Sequence, residues 1–162
     1  MQRRLLLLAA AVTFLASALP ASAAGDLPVD IVTKIYKLSA GKKGDYSGAS
    51  AFSDKAIRSA YFSKSLLAAI VKMEQKSART NEPILDFDPV TSSQDPSVKR
   101  LKIEAENATA DQATIAATFF SFDEKTPSIV RYKFIMEGDS WKLDEMTGGH
   151  DKDIWSLRDI IK

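Results

Sequence analysis

The sequence predicts an α+β domain: N-terminal helices packed on a curved, four-stranded antiparallel sheet, with a short C-terminal helix. Three observations lead there. Apolar residues in the first half recur at helical spacing, as in Ile31, Ile35 and Leu38. In the second half the period drops to two, with Leu101, Ile103 and Ala105 alternating with Lys102, Glu104 and Glu106. Gly138-Asp139 then supplies a two-residue turn suited to a hairpin of twisted strands.

Ahead of that domain, residues 1–23 read as a secretory signal peptide. Arg3 and Arg4 give a positive start, Leu5 to Leu19 is almost wholly apolar, and Pro20 breaks the run. Ala21-Ser22-Ala23 puts small residues where a signal peptidase cuts. The apolar run falls short of the ~20 residues of a spanning helix. Cleavage after Ala23 leaves 24–162 as a single domain, large enough to bury a core without staples. No later segment is apolar enough to span a membrane, so no stable insertion is expected after cleavage. The expected destination is the bacterial periplasm or the outside medium.

Local signals mark each element along the chain. Asp26 is a candidate N-cap, with Pro28 in the first turn, and Gly41 and Gly44 end the first helix. Ser53 to Ala60 reads as a short helix, and Ser63 caps a longer one from Lys64 to about Arg79. Leu66, Ile70 and Met73 share one face of it, with Leu67 and Val71 beside them. Lys64, Lys72 and Lys76 suit its wet side.

Asn107 to Asp111 makes the turn after the first strand. Ala113 to Phe122, apolar on both faces, reads as a central strand. Val130, Tyr132, Phe134 and Met136 alternate with charged residues in the third. Pairing across the Gly138-Asp139 turn sets Met136 opposite Trp141, Phe134 opposite Leu143, Lys133 opposite Asp144, and Glu145 near Tyr132. Gly148-Gly149 ends the last strand, and Asp151 or Asp153 caps a closing helix with Ile154, Leu157 and Ile161 inward. A twisted sheet curled around a helix leaves an open end, which is where a pocket is expected.

Composition excludes several chemistries. Without Arg3 and Arg4 the basic and acidic groups nearly balance, which offers no electrostatic footprint for nucleic acid. The absence of cysteine rules out disulfides, thiolate metal sites and cysteine nucleophiles. No glycine-rich phosphate loop occurs, and no cofactor is expected. The single histidine, His150, cannot supply a histidine-rich zinc site and reads as a surface turn residue.

The densest chemical stretch is ILDFDPVTSSQDP, residues 84 to 96. Asp86 and Asp88, two apart, would point the same way in an extended segment, roughly 6–7 Å apart. Paired acid–base work, or a hard cation shared with Asp95, are the functional readings. The calcium-loop pattern fails: counted from Asp86, Val90 and Thr91 stand where a ligand and a glycine are needed. Asp88 and Asp95 each precede a proline, the setting of aspartates that bond their own turn. Asp86, Asp88, Gln94 and Asp95 therefore read first as a structural corner, with pocket lining and metal or catalytic work as alternatives. No metal is expected.

Several pieces carry a family likeness. LPVDIVTKIYK resembles the opening helix of a bacterial exported family known as domain of unknown function 3828, and LDFDPVTSSQD its central loop. GDSWKLDEM resembles its hairpin, and SLRDII its closing helix. The resemblance spans most of 27–161 and implies a cone-shaped fold like nuclear transport factor 2. It implies no activity. Unlike the lipid-anchored members, this chain has no cysteine after its signal.

The functional expectation is an exported binding module holding a small molecule, a peptide or an envelope partner in the open end of the cone. Phe87, Tyr132, Trp141 and Glu145 are the candidate ligand-binding residues, Tyr132 and Trp141 because their polar tips favour a wet edge. One alternative is an enzyme of the same fold using a buried carboxylate as general base. Another is an immunity-type protein that binds a toxin through its surface.

Overall fold

The computed structural model describes residues 25–47, 50–122, 125–149 and 154–162. The signal-peptide expectation, His150 and the caps expected at Asp151 and Asp153 lie outside them. The chain is α+β. Helices α1 (Pro28–Ala40), α2 (Lys55–Tyr61) and α3 (Lys64–Thr80) precede strands β1 (Lys99–Ala108), β2 (Gln112–Phe120), β3 (Ser128–Glu137), β4 (Ser140–Gly148) and β5 (Trp155–Ser156); α4 (Leu157–Ile160) closes it. The strands form one antiparallel sheet in sequence order. Five strands replace the four expected. β5 has two residues, too few to show an alternating pattern, yet it pairs Thr147 with Ser156 and Gly148 with Trp155.

Local chemistry sets the helix bounds. Pro28 opens α1, where its missing N–H costs nothing, and Gly41 ends it at φ +63°. Leu27, not Asp26, holds the N-cap position. Asp26 instead accepts from Lys34 Nζ at 2.6 Å and Tyr61 Oη at 2.8 Å, which ties the segment before α1 to α1 and α2. Asp54 caps α2 by accepting from the Ala56 and Ile57 N–H groups. Ser63 caps α3 through the Leu66 N–H. Ser156 caps α4.

A single buried cluster holds the layers together. Ile31, Val32, Ile35 and Tyr36 of α1, Leu66 and Ile70 of α3, and Leu157 of α4 join Ile115, Phe119, Val130, Phe134, Leu143 and Met146 of the sheet. Each large apolar side chain buried there contributes roughly 1.5–3 kcal/mol. α1 packs on β1 and β2, whereas α2, α3 and α4 pack against β4. Leu38 is 41% exposed, because the buried stripe of α1 runs through Val32, Tyr36 and Ser39 instead. Ile154 is also exposed, at 73%; Leu157 and Ile161 turn inward.

The hairpin register holds at its tip, with Met136 opposite Trp141 and Phe134 opposite Leu143. It then slips. A register shift between Lys133 and Phe134 sets Lys133 opposite Glu145 and Tyr132 opposite Met146. The extra residue on β4 is Asp144, which sequence alternation alone does not flag. Glu145 is thereby moved out of register with Tyr132.

Candidate functional site

The acid-rich corner is built from its own backbone. Asp88 Oδ1 accepts from the Val90 N–H at 3.0 Å and from Ser50 Oγ at 2.6 Å. The Asp88 N–H donates to the Ser93 carbonyl at 3.0 Å. Gln94 Nε2 donates to Asp86 Oδ2 at 3.3 Å. Ser93 Oγ bonds both the N–H and the carbonyl of Asp95. Among the described residues no group of three His, Cys, Asp or Glu is placed to hold a metal ion. These are the short-range bonds by which aspartate and serine close turns.

That corner reaches the core through Val90, 1% exposed, whose carbonyl accepts from Tyr36 Oη at 2.8 Å. Tyr132 lies edge-on to Tyr36, ring centroids 6.2 Å apart. Tyr36 also meets Tyr46 and Phe119 edge-on, at 6.4 and 6.1 Å. Burial pushes the ionisation of both the Tyr36 and Tyr132 hydroxyls up, so both are protonated O–H groups at neutral pH. Tyr132 Oη is fully buried, with no hydrogen-bond partner among the described residues.

Phe87 stands apart from this group. Its ring meets Trp155 at 5.2 Å between centroids, with a 63° interplanar angle. Trp155 Nε1 donates to Ser92 Oγ at 2.8 Å. The indole also lies against Gly148, where an added Cβ would come within 2.6 Å of the ring. The corner, β5 and the end of β4 are thus locked by one aromatic side chain.

Glu145 belongs to a second lock. Its carboxylate accepts from the Met146 N–H, Ser156 Oγ and the Arg158 N–H. Beside it, Asp144 Oδ1 accepts from Ser63 Oγ at 2.6 Å, Ser65 Oγ at 2.8 Å and Arg158 Nη2 at 2.6 Å. Arg158 Nε bonds the Asp144 carbonyl at 2.7 Å. Burial pushes the Asp144 carboxyl up, but the two serine bonds and the guanidinium outweigh it and hold it below its ordinary value. The bulge residue thereby joins α3, β4 and α4.

The four candidate residues do not meet at one place. Tyr132 is in the core, Phe87 is under Trp155 and Glu145 is beside α4. Trp141, half-buried, sits opposite Met136, about 13 Å along β3 from Tyr132. Two surface depressions flank α3 instead. One, of about 460 Å³, lies between its C-terminal half and the loop after it, with Met73, Ser77, Asn81, Pro83 and Leu85 among its walls. The other, of about 260 Å³, lies between α2 and α3, with Lys55, Arg58, Leu67, Ile70 and Val71 among its walls. Sequence reasoning placed Leu67 and Val71 beside the buried face of α3 but assigned them no role. The signal was there: apolar residues beyond the stripe that the sheet covers.

No family model, curated protein or solved structure matches the chain.

Proposed function

We propose that this protein is an exported binding module that engages another protein through the outer surface of its helical layer. Export rests on the signal-like segment 1–23. One observation carries the choice of an outer surface. The helix-facing side of the sheet is occupied by the chain's own Tyr36, Phe119, Tyr132 and Phe134, none more than 1% exposed, while the depressions beside α3 are open. In a cone-like arrangement of the expected kind, α1 and these aromatics plug the space where a ligand would sit. Binding then falls to the exterior, as in the immunity-type reading.

Photo-cross-linking tests this. A photoreactive side chain is placed at Val71 or Ser77, with Lys133 on the sheet as control, and the protein is irradiated in its native cells. The expected result is a protein adduct of defined mass from the α3 positions and none from Lys133. Adducts from no position, or from Lys133 alone, overturn the reading.

A second reading, a small molecule held inside, is favoured by the unpartnered Tyr132 hydroxyl, since buried polar groups almost always find a partner. Native mass spectrometry of protein purified from its own source tests it. A retained molecule that Tyr132→Phe loses would support this reading over the first.

A further inference from the structure

Helices α2 and α3 together carry Lys55, Arg58, Lys64, Lys72, Lys76 and Arg79 against one carboxylate, Glu74. Glu74 is already bonded by Arg58 Nη1 at 2.7 Å. Among the described residues the side chains of the other five form no ion pair, though the Lys64 N–H donates to Glu137 Oε1 at 3.1 Å. The next segment, 81–98, reverses the sign with Glu82, Asp86, Asp88 and Asp95 and no cation. A chain whose overall charge is close to zero therefore concentrates positive charge on two adjacent helices.

The groove between those helices has an apolar floor of Leu67, Ile70 and Val71, with Val71 48% exposed; Lys55 and the Arg58–Glu74 pair stand at its edge. Its volume, about 260 Å³, is below the roughly 300–1,000 Å³ of small-molecule sites. It suits one apolar side chain inserted as an anchor rather than a whole ligand. A bilayer is the poorer match. Lys72, Gln75, Lys76 and Arg79, the outward residues of α3, include no aromatic or large aliphatic group to insert among lipids.

We infer that the α2–α3 groove docks an acidic segment of a partner protein, one apolar side chain of which enters between Arg58 and Val71 while its carboxylates face Lys55 at the groove and the wider positive field of the two helices. This rests on the proposed partner-binding function and names the chemistry of the partner.

The test uses the purified protein and a fluorescent probe peptide in which a single leucine is flanked by glutamates. The controls are the same peptide with serine for leucine, and vesicles of phosphatidylglycerol or phosphatidylcholine. Fluorescence anisotropy should show saturable binding that weakens about tenfold or more for the serine peptide. Added salt should weaken it too, because the lysine contribution is exposed and screened. Val71→Glu should weaken it about tenfold or more while the melting curve stays as in the parent. Lys55→Glu and Lys72→Glu, both at exposed positions, repeat the test without touching the groove floor.

Absence of binding at about 1 mM peptide, equal binding by these variants, or binding to phosphatidylglycerol vesicles in place of the peptide overturns the proposal. The two failures separate cleanly. Cross-links from Ser77 alone, with the peptide ignored, leave the partner-binding function standing and remove the groove. The absence of cross-links at every position removes the function itself.

Discussion

Tyr36 and Tyr132 meet edge-on in the core with ring centroids 6.2 Å apart; the Tyr36 hydroxyl donates to the carbonyl of Val90, while that of Tyr132 has no hydrogen-bond partner among the described residues. The pair predicts opposite outcomes for the same substitution. Tyr36→Phe removes a buried bond that ties α1 to the acid-rich corner, and should cost about 1–2 kcal/mol. Tyr132→Phe removes a hydroxyl that has already lost its water without gaining a partner, and should be neutral or stabilising by about 1 kcal/mol. Urea denaturation of the two variants checks the sign. A loss above about 1 kcal/mol for Tyr132→Phe would mean that its hydroxyl has a partner in solution.

Asp144 gives the chain an acid-sensitive joint. Its carboxyl ionises at lower pH in the folded protein than in the unfolded chain. The stabilisation is therefore present above the unfolded value, about 3.9, and is lost as the pH falls through the folded value. Asp144→Asn should lower stability by about 1 kcal/mol at pH ~6, as the bond with Arg158 weakens. The gap between parent and variant should narrow as the pH drops below ~4. A gap that stays constant with pH contradicts the assignment.

Gly148 is required by the indole beside it. An alanine Cβ would come 2.6 and 2.9 Å from two ring atoms of Trp155. That indole is held by Ser92 and by Phe87, so it cannot yield freely. Gly148→Ala should cost about 1–3 kcal/mol. Combined with Trp155→Leu, the alanine should add little further loss. Additive losses in the double variant would show that the strain lies elsewhere.

Ser63 serves two elements at once. It caps α3 through Leu66 and bonds the Asp144 carboxylate. Ser63→Ala should cost about 1–2 kcal/mol, more than Ser65→Ala, which loses surface bonds only. Equal losses, measured by thermal unfolding, would assign the stability to the charge cluster and not to the cap.

Features set by hydrophobic period and by turn residues were legible in the sequence. Ser63 as a cap, Gly41 as a stop and the Gly138-Asp139 turn each rest on one residue's conformational preference. The bulge at Asp144 and the two-residue strand β5 were hidden because neither alters an alternating pattern long enough to read. Both depend on contacts far along the chain, Asp144 with Ser63 and Trp155 with Ser92. The candidate site residues scattered as well: Glu145 went to α4 once the register slipped, whereas Tyr132 lies on the β3 face it shares with Val130 and Phe134, all of it buried. The groove between α2 and α3 was hidden too. Val71 is apolar and helical in either setting, and only the assembled layers reveal that the sheet leaves it uncovered.

The chain's own aromatics plug the interior, and the proposed recognition takes place outside it. Photo-cross-linking from Val71 and Ser77, set against Tyr46, the partly exposed ring that packs on Tyr36, tests it most directly. The account predicts protein adducts from the two α3 positions and none at Tyr46. A small-molecule adduct at Tyr46, with both α3 positions silent, would contradict it.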